Sequence, residues 1–184
     1  MQFMIDVAPR KNWTTDQMLG QILAVWVPSV HQISMVTTFA LEDLCAHSEY
    51  VQPLREELSS QLWDDVSNPR DIEMLPLLDS FLRESIRLTN TDPVVMRRKA
   101  IEPHVFADGS RIAKGDWVVV PQQAIMRDAR KYCNPETFDG FRFARANELL
   151  RHGKLSPDTP DKVETMLRDA TLDWSTWGMD PAAW

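Results

Sequence analysis

"LLDSFLRESIRL", Leu77–Leu88, read together with "NPETFDGFRF", Asn134–Phe143, decides how the rest of the chain is understood. Leu78, Phe81 and Leu82 fall at helical spacing, which marks the first stretch as an amphipathic helix. Glu84 and Arg87 stand one turn apart beside that apolar face, so carboxylate and guanidinium can form a bidentate, charge-assisted pair. Taken alone, such a pair on a solvated helix contributes only about 0.3–0.5 kcal/mol and implies no function. The second stretch gives it weight. Arg142 lies between Phe141 and Phe143, with Phe138 close by, in a segment punctuated by Pro135 and Gly140. A guanidinium set among aromatic rings calls for a partner, because an unpaired buried cation is very costly.

Composition narrows the classes. A chain of 184 residues can form one ordinary domain with a sizeable core, and 43% hydrophobic with 26% charged residues fits a globular protein. A net charge of −7 without a basic stripe argues against a nucleic-acid partner. Cys45 and Cys133 have no paired spacing, so a disulfide framework is not expected and a reducing compartment is. His31, His47, His104 and His152 show no metal-ligand spacing. The most apolar run, Met18–Val30, is interrupted by Gly20, Gln21 and Pro28, so no transmembrane segment or membrane anchor is expected. The N-terminus lacks a charged region followed by an apolar one, so no signal peptide is expected either.

In chain order, Met1–Asn12 reads as a connecting segment. Thr14 and Gln17 make a capping box that opens a long helix to about His47. Its apolar residues nearly encircle it, which predicts a helix buried in the middle of a large protein, kinked at Pro28. Ser48 caps a second helix, Glu49–Leu62, with Arg55, Glu56 and Glu57 outward. Pro69 and Pro76 bracket a loop, and Pro76 suits the first turn of the Glu84 helix. Beyond Leu88, short apolar runs separated by Asp108-Gly109 and Lys114-Gly115 predict two or three strands in a small antiparallel sheet. Short helices follow over Gln122–Asp128 and from about Ala144 to Arg151.

A Glu-x-x-Arg helix followed by an aromatic-flanked arginine resembles the Glu–Arg–Arg triad of the cytochrome P450 monooxygenases. "AHSEYVQPLREEL", Ala46–Leu58, is similar to the corresponding helix of fungal members. The resemblance covers Asp16–Trp177. It implies a mainly α fold with a small antiparallel β-sheet, the second half of the cytochrome P450 fold, as a single partial domain over residues 1–184. It further implies that Glu84, Arg87 and Arg142 lock this helix to the irregular meander beside it. Arg98 would pair with a haem propionate, although Arg97, Arg98 and Lys99 also fit solvated strand charges. The long helix resembles the one crossing the distal face of the haem. There Pro28 and Ser29 replace the family's small pair, His31 the acid and Gln32 the proton-delivering threonine; both His31 and Gln32 also fit core polar residues satisfied by backbone carbonyls.

After the meander the family continues with the haem loop that carries the axial cysteine. In "DWSTWGMD" Trp174 takes the aromatic position and Gly178 lies near the first glycine, but Asp180 stands where a second glycine is expected. Cys45 and Cys133 lie elsewhere in the pattern and read as inert residues. The expectation is therefore a truncated, inactive relative of fungal secondary-metabolism monooxygenases. Its complete form would use haem, a flavoprotein reductase and a small apolar substrate, in the cytoplasm or peripheral to the endoplasmic reticulum. Two alternatives stay open: an active enzyme read from an incomplete gene, and a non-enzymatic helical interaction protein.

Overall fold

The computed structural model describes residues 6–60, 75–89, 92–154, 166, 167, 169 and 174. Pro69, Leu62, Trp177, Gly178 and Asp180 lie outside the described residues, so the readings placed on them have no structural counterpart.

Helix α1 runs over Thr15–Ala46 and opens on the capping box, with Thr14 Oγ1 accepting from the Gln17 N–H and the Gln17 side chain accepting from the Thr14 N–H. A single-turn 3-10 segment, Ser48–Tyr50, leads into α2, Val51–Ser60. The α-helix starts later than the sequence predicts, and Ser48 belongs to the 3-10 turn that precedes it. The later start places Pro53 in the first turn, where its missing N–H has no helical partner to lose. Helix α3 spans Pro76–Leu88 with Pro76 in its first position. It is buried on most sides: Ser80, Phe81 and every residue from Arg83 to Arg87 are inaccessible to solvent.

The strand region forms two separate two-stranded antiparallel ladders rather than one sheet. Strand β1, Val95–Lys99, pairs with β4, Trp117–Val120, while β2, His104–Val105, pairs with β3, Arg111–Ile112. Pro103 precedes β2 and brings no N–H to extend the first ladder. Gly109 and Gly115 take the positive φ angles of 85° and 97° that the two turns require. A β-bulge interrupts β1, since Val95 faces Val120 and Arg98 faces Val118. Within it Met96 adopts φ 52°, a strained angle for a side chain of that size. Helix α4, Gln122–Met126, and helix α5, Arg142–Arg151, complete the order.

The core has two parts. Ile86, Met126, Tyr132, Phe143 and Trp174 form one, and Ala40, Leu54 and Phe81 the other. Rings from three segments join the second: His47 stacks on Phe138 at 4.4 Å, and Tyr50 meets Phe81, Phe138 and Phe141. Gly140 fits there because it lacks a side chain. A Cβ at that position would lie 2.8 Å from Phe81 and 3.0 Å from Tyr50.

Helix α1 departs from expectation. It packs on α3 through its last turns, where Val36, Ala40 and Leu44 join the two cores, but Leu19, Leu23, Trp26, Val30 and Ile33 are exposed. Within the described residues the helix is not a buried one. By length and composition alone it is also long and apolar enough to span a membrane, with a mean hydropathy of 1.3 over an 18-residue window. The core helix of a soluble protein passes the same test, so this corrects the expectation of no candidate span without establishing one.

Two outcomes follow. The 184-residue chain expressed alone should self-associate through the exposed α1 face, and sedimentation showing a monomer with a sharp thermal transition would contradict this. Gly140→Ala should cost about 1–3 kcal/mol by crowding Phe81 and Tyr50, measured as a shift in the denaturant midpoint against wild type.

Candidate functional site

Glu84 is the centre of the site. Its carboxylate is fully buried, as is the side chain of Arg87. Arg87 reaches it through two parallel bonds, Nε to Oε2 and Nη2 to Oε1, both 2.8 Å. Arg142, at the first position of α5, brings its Nε to 3.3 Å from both carboxylate oxygens. The Asp139 N–H donates to Oε1 at 3.0 Å. A solvated helix pair is thereby excluded: the structure brings Glu84 and Arg87 together out of water, with the largely buried Arg142 beside them.

The remaining guanidinium protons bind the irregular stretch between α4 and α5. Arg87 Nη1 donates to the carbonyls of Met126 and Pro135, both at 2.7 Å. Arg142 donates to the carbonyls of Cys133, Asn134 and Thr137. Loops without a ladder leave carbonyls that must find donors when buried, and here two arginines supply them. Asn134 holds φ 48° in the same stretch, a conformation that asparagine tolerates.

Three acidic or hydroxyl groups that the sequence reading did not assign to the site complete it. Glu57 does not point outward. Its two carboxylate oxygens accept the N–H groups of Leu77 at 2.7 Å and Leu78 at 3.0 Å, capping α3 from α2. Ser80 Oγ accepts the N–H groups of Phe143 and Ala144, each at 3.1 Å, and so caps α5. This borrowed cap explains why α5 begins at Arg142, two residues before the predicted start. Asp79 accepts the Leu167 N–H at 2.8 Å. The available signal was negative: Leu75 before α3 and Phe141 before α5 cannot cap a helix, so each must find its acceptor elsewhere.

The other predicted site residues lie apart from this centre. His31 and Gln32 are exposed on α1, which removes the reading of core polar residues within the described structure. Arg98 is exposed on β1 just past the bulge, and among the described residues its guanidinium bonds only to the Arg97 carbonyl, at 3.1 Å. Cys45 and Cys133 are both exposed. Cys133 lines a cleft of about 310 Å3 together with Tyr132, Asn134, Asp139 and Leu149.

The family model described as "Cytochrome P450" matches residues 2–158 of this chain. The chain belongs to the cytochrome P450 family. Among curated proteins it is 37% identical to a cytochrome P450 monooxygenase of Penicillium roqueforti, over 69% of this chain and 24% of that protein. It is 30% identical to an ent-kaurene oxidase of Gibberella intermedia, over 79% of this chain and 28% of that protein. A zebra fish cytochrome P450 solved with abiraterone superposes with a TM-score of 0.69 at 22% identity, covering 93% of this chain and 36% of that one. The chain is thus a cytochrome P450 monooxygenase-like protein of fungal type that spans about a quarter to a third of the curated relatives it matches.

Haem is the cofactor that this family implies, and the described side chains fit it on one side only. Arg98 has a forked cation without a carboxylate partner among the described residues, as a propionate requires. No group of three or more His, Cys, Asp or Glu could hold a metal ion among the described residues. Of the two cysteines, Cys45 lies on the last turn of α1 and Cys133 in the stretch whose carbonyls Arg142 binds, and both are exposed.

Removing the shared acceptor while leaving its cations buried should be severe. Glu84→Gln is expected to destabilise the fold by about 3–5 kcal/mol, whereas Glu56→Gln on the exposed face of α2 should stay within about 0.5 kcal/mol. Paired denaturation curves check both values.

Proposed function

We propose that this chain is the scaffold side of a haem-thiolate monooxygenase, and that Glu84, Arg87 and Arg142 hold the cytochrome P450 meander rather than perform chemistry. The observation that supports this most is the single buried carboxylate shared by two arginines, which between them bind four carbonyls of an irregular segment and that of Met126 at the end of α4. Arg98 would hold a haem propionate. The bulge at Met96 supports that role, because an extra residue re-aims the side chain that follows it. His31 and Gln32 would face the distal side and could hold a water by hydrogen bonding.

Haem supplies this family with the activation of dioxygen. The whole protein would insert one oxygen atom into a small apolar substrate in fungal secondary metabolism, with electrons from a flavoprotein reductase. It would work in the cytoplasm or at the surface of the endoplasmic reticulum. On this reading the 184 residues alone would not catalyse that reaction, because Cys45 and Cys133 lie outside the sequence pattern of the family's haem loop. We read residues 1–184 as one partial domain.

The test is the reduced, carbon-monoxide difference spectrum of the chain after reconstitution with haem. The expected spectrum lacks the long-wavelength Soret band of thiolate ligation, in wild type and in Cys45→Ser and Cys133→Ser alike. A long-wavelength band that vanishes in either variant would sink the missing-ligand reading. Arg98→Gln should weaken haem uptake several-fold, and unchanged uptake would remove Arg98 from the propionate role.

A further inference from the structure

Helix α3 carries another buried cation next to Glu84. Arg83 is 1% exposed, and its guanidinium carbon lies 3.8 Å from the centre of the Phe143 ring and 4.9 Å from that of Trp174. The two rings meet edge-on, 5.6 Å apart at 71°, and the cation touches both. Phe143 belongs to the first turn of α5, while Trp174 comes from far downstream. One turn back on α3, Asp79 accepts the Leu167 N–H at 2.8 Å, and the Leu167 carbonyl accepts the Trp174 indole N–H at 3.2 Å. The contacts close a loop that begins and ends on α3, at Asp79 and Arg83.

Charge at this position has a reason. Methionine would fill much of the same space without the cost of desolvating a guanidinium. Among its contributions the cation adds an oriented attraction to two ring faces, strongest where water is excluded. We propose that Arg83 is a positioning residue, which with Asp79 holds Leu167 and Trp174 against α3 by its charge rather than its volume. Any consequence for a haem loop rests on the proposed function; the clasp itself needs no haem and is tested without it.

Chain labelled with 5-fluorotryptophan gives one 19F signal for Trp174, assigned by Trp174→Phe. Arg83→Met should move that signal toward the free-tryptophan position, Arg83→Lys should keep it near its native shift, and the remaining tryptophan signals should stay in place. An unchanged Trp174 signal in Arg83→Met, or equal rescue by methionine and lysine, would overturn the proposal. Should Arg83→Met not fold, Trp174→Leu is read from the other side. The Arg83 Nε–H signal should then shift and exchange at least tenfold faster than in wild type, and no change overturns the clasp. Failure of haem uptake would leave these results untouched, so the two readings fail separately.

Discussion

A single carboxylate with two guanidiniums on it holds this structure together. Glu84 is out of water, and so is Arg87. In that setting each charge is tolerable only while the others remain, because desolvation of an unpartnered ion outweighs any packing gain. The requirement reaches beyond the three residues. Their spare protons satisfy carbonyls at Met126, Cys133, Asn134, Pro135 and Thr137, so the path of an irregular segment is set by side chains on two helices. Around that polar centre, the rings of His47, Tyr50, Phe81, Phe138 and Phe141 supply apolar burial and fix the approach of the backbone at Gly140.

Helix α3 is therefore polar where most core helices are apolar. Asp79, Ser80, Arg83, Glu84 and Arg87 form one stripe, and each meets residues far later in the chain. The apolar face of the same helix, with Phe81, turns toward α1 and α2. In contrast, α1 leaves most of its apolar surface uncovered within the described residues.

Much of this was legible in the residues. The capping box at Thr14 and Gln17, the glycine turns at 109 and 115 and the helix around Glu84 all follow from local chemistry, which acts within a few residues. The Glu84–Arg87 contact was legible too, from spacing; its burial was not, because a three-residue interval says nothing of what lies above it. Glu57, Ser80 and Asp79 escaped notice because they act on backbone far from them in sequence, and a lone acid or serine carries no mark of that. The bulge at Met96 was hidden for a related reason: methionine has no preference for positive φ, and the partner strand imposes it. His31, Gln32 and Arg98 could be named only by resemblance, and the structure leaves all three at the surface.

The borrowed caps share a direction. Glu57 precedes the helix it caps, Ser80 precedes α5, Glu84 precedes the segment whose N–H it accepts, and Asp79 precedes Leu167. In each case the acceptor lies nearer the N-terminus than the donor. A chain leaving the ribosome exposes each acceptor before the groups that need it, and emergence is slow compared with helix formation. Helix α3, helix α5, Asp139 and Leu167 thus each meet an acceptor already made, so these four contacts can form as synthesis proceeds.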